Sequence, residues 1–205
     1  EQLEKINVAT RELVELQYST YNRSLVPQLE TKGIRIIDAF EELTKEQQEF
    51  VDKYFEETVY PVLTPMAVDA SRPFPLIRNK TLNIAAFLLK KGEKKKEENY
   101  EFATVQVPGV LPRIIPIPDG VNHSFILLEQ IIEKNMERLF LNYDVICAYP
   151  YRIMRNADLT IDEDEAEDLL QEIQKQLKKR QWGEIIRLAV SYTHLRAHET
   201  PEHLV

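Results

Sequence analysis

The 205-residue sequence contains one cysteine, Cys147, so no disulfide can close within it. A reducing compartment is the simplest setting for such a chain, and a cytoplasmic location is expected. Cys147 sits in the apolar run Val145-Ile146-Cys147-Ala148, which predicts a buried, inert thiol. No apolar stretch approaches the roughly 20 residues that cross a bilayer. The first residues, Glu1-Gln2-Leu3-Glu4-Lys5, have neither the basic nor the apolar part of a secretory signal. Peripheral membrane association stays open. A starting Met is absent too, and a start inside a longer reading frame is expected.

Positive charge is in short supply. Lys and Arg number 26 against 34 Asp and Glu, a net charge of −8. That balance disfavours unaided binding to a polyanion, so any such contact must be local, and nucleic acid is not an expected partner. There is also no GxxxxGK[ST] loop to cradle ATP phosphates with backbone N–H groups.

What the chain does have is 43% hydrophobic residues, ordinary for a packed protein. Val14, Tyr18, Tyr21, Leu25 and Leu29 recur at spacings of three and four, predicting a long first helix. Pro27 removes one of its hydrogen bonds, so a kink or restart is expected near Ser24, and Gly33 suits a left-handed helix end. Ile34 to Ile37 alternates as a short strand. A second helix starts at Thr44, which has capping-box spacing to Gln47, and it ends at Pro61 and Pro65. Its apolar face is Phe50, Val51, Tyr54, Phe55 and Val59.

Thr81 to Leu89 and Tyr100 to Val107 read as a hairpin around a Lys- and Glu-rich tip. Pro108, Pro112, Pro116 and Pro118 confine the following apolar pairs to sheet edges or extended loops. A third helix is expected over Leu128 to Phe140 and a strand from Asp144 towards Met154. A fourth helix runs from an Asp162 cap to Gly183, with acidic residues in its first turns and basic ones in its last. Glu184 to Val190 reads as a strand. Helices and strands mixed without a βαβ repeat predict an α+β fold. We expect a long N-terminal helix followed by a mixed, largely antiparallel sheet packed with helices.

Several collinear stretches carry a resemblance. They are Tyr60-Pro61-Val62-Leu63-Thr64-Pro65-Met66-Ala67-Val68-Asp69, Arg72-Pro73-Phe74-Pro75, Leu82-Asn83-Ile84-Ala85, and Val107-Pro108 with Leu111-Pro112-Arg113. The most specific is Ala148-Tyr149-Pro150-Tyr151-Arg152-Ile153-Met154-Arg155-Asn156-Ala157-Asp158-Leu159. From about Leu3 to Leu188 the chain resembles polyphosphate kinase, which reversibly moves the terminal phosphate of ATP onto polyphosphate. The resemblance implies that residues 1–33 end an N-terminal helical domain. It also implies that residues 34–190 form the middle or head domain, which mediates dimerisation. ATP, Mg²⁺ and polyphosphate would belong to the parent enzyme, together with a homodimer or higher homo-oligomer. In the family plan the ATP-holding helix lies upstream, and the phosphorylated histidine and Mg²⁺- and phosphate-binding arginines lie downstream. No catalytic residue carries over to a position here, and the chain alone is expected to be inert.

Residues 191–205 depart from the family pattern and resemble translated adapter DNA, so a non-native tail is expected. They hold His194, His198 and His203. Leu195 stands where a zincin has its glutamate, and Pro201 breaks any shared helix, so no metal site is expected. The remaining histidine, His123, follows Asp119-Gly120-Val121-Asn122 and reads as a surface turn entering a strand.

Lys90, Lys91, Lys94, Lys95 and Lys96 form the densest basic cluster, but interleaved glutamates mark a solvated hairpin tip. Arg152 and Arg155 offer two guanidinium groups that can fork onto phosphate, or Arg155 can pair with Asp158 and brace the turn. Arg72, Arg78, Lys80 and Arg113 are weaker candidates for facing a polyphosphate path. Two other readings remain: a stand-alone protein-interaction module, and a polyanion-binding domain using the Lys90–Lys96 loop with Arg152 and Arg155.

Overall fold

Pro27 shapes the first helical stretch. The computed structural model describes residues 2–68, 75–94, 96, 99–120, 123–156 and 183–190. In it α1 spans Gln2–Thr20, a π turn spans Tyr21–Leu25 and α2 spans Val26–Thr31. The Val26 N–H reaches back to the Tyr21 carbonyl, and Pro27, with no N–H, follows at the start of α2. The widened turn is the expected irregularity around Ser24. Gly33 ends α2 with φ 75° and donates its N–H to Glu30 O at 2.9 Å, as a left-handed helix end requires.

The chain divides into two units, Glu1–Val62 with Pro108–Asn135, and Leu63–Val107 with Met136–Val205. Gly33 lies within the first of them. Besides α1 and α2, the first unit has β1 (Ile34–Ile37), α3 (Lys45–Tyr54), β5 (Ile114–Ile117), β6 (His123–Leu127) and α4 (Leu128–Lys134). Its sheet has the order β1-β6-β5, with β1 parallel and β5 antiparallel to β6. Pro116 therefore lies on an edge strand, where a missing N–H costs nothing to the ladder.

Helix α3 starts with the predicted capping box. Thr44 Oγ1 accepts from Gln47 N–H at 3.3 Å, and Gln47 Oε1 accepts from Thr44 N–H at 3.0 Å. The helix continues as a π turn, Phe55–Val59, and a 3₁₀ turn, Tyr60–Val62. Val51, Phe55 and Val59 are fully buried, as are Ile37, Ile126, Leu128, Ile131 and Ile132. Each large apolar side chain buried in this way contributes about 1.5–3 kcal/mol.

The expected third helix does not run unbroken to Phe140. It stops at Asn135, and a short α5 (Met136–Leu139) follows. Asn135 Nδ2 donates to the Ile131 carbonyl at 2.9 Å, so its amide competes with the backbone for a helical acceptor.

The second unit holds β2 (Pro65–Val68), β3 (Leu82–Lys90), β4 (Tyr100–Gln106), β7 (Tyr143–Arg155) and β8 (Ile185–Val190). They form an antiparallel sheet in the order β2-β4-β3-β7-β8. The α+β class stands, with its strands in two sheets rather than one. Sequence reading placed a helix end and connector at Pro65, where β2 pairs with β4; an edge position admits its proline.

Ile84, Ala86, Leu88, Ala103 and Val105 are buried on one face of the second sheet. Tyr151, Ile153 and Ile77 form a separate buried group with Ala85, Leu188 and Val190. Cys147 is half-buried rather than buried. It pairs with Phe87, itself 47% exposed, and directly opposite residues in an antiparallel pair share a face.

The expected fourth helix and the tail histidines lie outside the described residues, as do Arg72, Lys95 and Asp158. No helix among the described residues is long and apolar enough to cross a membrane. They contain no group of His, Cys, Asp and Glu suited to a metal ion.

Candidate phosphate-binding corner

Strand β7 carries the most specific stretch of sequence to one end of the second sheet. Arg152 pairs with Leu82 of β3 and Ala189 of β8, and its side chain is exposed, opposite in direction to buried Tyr151 and Ile153. A bulge falls between Met154 and Arg155. Arg155 turns into the structure there: Nε donates to Ile77 O at 3.0 Å and Nη1 to Gly183 O at 2.9 Å. Its own N–H donates to Asn79 Oδ1 at 2.9 Å. Arg155 thus braces two chain segments through carbonyl oxygens, and three of its five N–H donors make no bond to the described residues.

Gly183 is required at this place by packing. A Cβ there would collide with the carbonyl oxygen of Asn156, and Asn156 N–H donates to Glu184 O at 2.7 Å. The backbone after β7 and the backbone before β8 therefore touch. On the other side, the turn at Asn79-Lys80 places Lys80 at φ 61°, the left-handed region that non-glycine residues seldom occupy. Lys80 N–H donates to Ile153 O at 2.9 Å, which seats the turn against β7. Arg78 and Lys80 are both exposed.

Four predicted residues, Arg78, Lys80, Arg152 and Arg155, therefore come from one corner of the second unit. Arg113 does not join them in that unit, because it precedes β5 in the first. Its guanidinium forks onto Glu129, with Nε at 3.0 Å and Nη2 at 2.5 Å from Oε1. Glu129 is 5% exposed, and this hydrogen bonding raises the Arg113 pKa against the opposing effect of burial. Glu133, one helical turn on, is pushed up to about 7 by burial and then by the Glu129 charge.

Sequence reading passed over Arg187, which lies on β8 opposite Met154 of β7 and is half-buried. Its place within the strand-like run Ile185-Ile186-Arg187-Leu188 was visible, but its neighbour was not. His123 is exposed at the first position of β6, in keeping with a turn entering a strand. Lys90, Lys91, Lys94 and Lys96 are all exposed around the β3–β4 connection.

The family model described as the polyphosphate kinase middle domain matches residues 46–198. The chain belongs to the polyphosphate kinase family. It is 46% identical over 195 residues to the polyphosphate kinase of Bacillus anthracis, covering 95% of this chain and 28% of that protein. With the polyphosphate kinase of Lactiplantibacillus plantarum it shares 47% over 190 residues, or 93% of this chain and 26% of the relative. The crystal structure of polyphosphate kinase from Porphyromonas gingivalis superposes with a TM-score of 0.67 at 25% identity, covering 88% of this chain and 30% of that one. The chain thus spans little more than a quarter of the relatives' length. The family match begins in α3 and extends eight residues beyond Val190 into the stretch expected to be foreign.

Proposed function

We propose that this chain is the architectural middle part of an enzyme that reversibly transfers the terminal phosphate of ATP to inorganic polyphosphate. The parent uses Mg²⁺ and a phosphohistidine that lie outside this chain, and works in the cytoplasm as a homodimer or higher homo-oligomer. The observation that carries this reading is the match of residues 46–198 to the middle domain, collinear with polyphosphate kinases at 46–47% identity. The surface supports a role in assembly, since Phe87, Ile146 and Ile186 remain 36–56% exposed on the second unit.

Sedimentation equilibrium of the chain at micromolar concentration tests the assembly role. A dimer is expected, and a monomer across the whole range would overturn it. Replacing the matching segment of the Bacillus anthracis enzyme with this chain tests the parent's activity. The chimera should transfer phosphate from ATP to polyphosphate, and a folded, inactive chimera would count against the reading.

The exposed cations Arg78, Lys80 and Arg152 support a phosphate contact within this middle part. The interleaved charges at the β3–β4 tip favour solvation there instead.

A further inference from the structure

We infer that Lys80, Arg152 and Arg187 form one cationic corner that grips neighbouring phosphates of a linear polyphosphate, with Arg155 as the positioning residue that fixes its shape. This rests on the reading of the parent as an enzyme acting on polyphosphate.

The geometry comes from the sheet register. Arg152 is opposite Ala189, and Arg187 is opposite Met154, two residues further along β7. Arg152 and Arg187 are therefore diagonal neighbours on one face, at roughly 7–8 Å between backbones. Both side chains are long enough to reach a common anion. Lys80 joins them from the turn that precedes β3, because its N–H is bonded to Ile153 O at 2.9 Å, between Arg152 and Met154.

Charge supplies the second argument. Like charges on neighbouring strands repel unless something negative lies between them. Among the described residues Arg35, Arg113 and Lys134 each face a carboxylate within 3.5 Å. Arg152, Arg187 and Lys80 have no side-chain hydrogen bond or ion pair among the described residues. In a chain of net charge −8, three cations with no partner among the described residues thus lie near this corner. Phosphate groups repeated along a flexible chain match that spacing and sign.

Arg155 holds the corner together. Its two carbonyl bonds tie the segment bearing Ile77 and the segment bearing Gly183 to the end of β7. The Asn79 side chain accepts the Arg155 N–H, which fixes the turn that keeps Lys80 in its left-handed conformation. A lysine would keep the charge but offers its donors from one nitrogen, whereas Ile77 O and Gly183 O are bonded by two different guanidinium nitrogens.

The test measures binding of inorganic polyphosphate of defined length to the 205-residue chain across a salt series. Arg152→Gln and Arg187→Gln should each weaken binding about 3- to 10-fold and flatten the log–log salt dependence by about 0.7 per charge removed. Their thermal midpoints should stay unchanged. Arg155→Lys should weaken binding with an unchanged salt slope, and amide exchange at Asn79 to Thr81 should quicken. Wild-type affinity in both Gln variants, or no polyphosphate binding by the wild-type chain, would overturn the corner. Loss of binding only on reversing Lys90 and Lys94 would move the site to the hairpin tip. Equal affinity for a single-stranded oligonucleotide of matched charge would overturn the assignment to polyphosphate. Wild-type binding by Arg155→Lys despite faster exchange would remove the positioning role. Each of these results is separate from failure of the parent reading, which appears as loss of phosphate transfer in the chimera.

Discussion

Thr104 and Tyr151 share a buried hydrogen bond of 2.8 Å between their hydroxyl groups, reaching from β4 to β7 across β3. Thr104 is fully buried and Tyr151 is 6% exposed. Ala85, small and next to both on β3, leaves room for the contact. Burial raises the Tyr151 pKa, and the bond from Thr104 opposes that rise.

Tyr151→Phe should cost about 1–2 kcal/mol, because it strands the Thr104 hydroxyl without water or partner. Adding Thr104→Val should cost less than the sum of the two single changes, with a coupling of about 0.5–1.5 kcal/mol. Urea unfolding of the four proteins measures this. Strict additivity would mean that the bond contributes nothing.

The Arg113–Glu129 pair predicts an ordering. Arg113→Met should destabilise by about 1.5–3 kcal/mol, since it leaves a nearly fully buried carboxylate without its charged donor. Arg113→Met with Glu129→Met should recover most of that loss, because no buried charge then remains. Thermal or denaturant unfolding reads the order, and a double variant weaker than the single one would contradict it.

Glu133 should make the first unit more stable in mild acid. Its carboxyl is raised from 4.5 to about 7, so between those values the folded chain binds more protons than the unfolded one. Stability from this group therefore falls as pH rises from about 4.5 to about 7 and stays low above that. Glu133→Gln should be more stable than the parent at pH 8 and indistinguishable at pH 4. Equal stability of the two proteins at both pH values would show that the carboxyl is not perturbed.

Thr44→Ala removes one half of the α3 capping box and should cost about 1 kcal/mol. Thr44→Ser should be nearly silent, which separates the cap from general sensitivity at that position. Denaturant midpoints with unchanged slopes would report both effects.

That cap, the left-handed Gly33 and the irregular turn ahead of Pro27 were all legible in sequence because each is a local rule about a few adjacent residues. The β3–β4 hairpin was legible for the same reason, and β7 through its run of strand-forming residues. The division of strands into two sheets was not. It depends on β1 pairing with β6, whose partners Ile34 and His123 are far apart in sequence and share no pattern. The break at Asn135 was hidden because its apolar neighbours keep helical spacing on both sides, while the side-chain bond to Ile131 interrupts the helix.

The candidate site shows the same split. Arg152 and Arg155 stood out within one motif, yet their different roles come from a bulge that no spacing announces. Arg187 gained meaning only when β8 came to lie beside β7. Glu129, the partner of Arg113, is likewise linked to it by no helical or strand period.

The central proposal is that this member of the polyphosphate kinase family is an architectural part of its enzyme and holds none of the transferring groups. The most direct test is to incubate the purified 205-residue chain with Mg²⁺, terminally labelled ATP and a polyphosphate primer. The account predicts no label in polyphosphate and none on the protein above a protein-free blank. Incorporation into polyphosphate by a preparation free of other enzymes would contradict it.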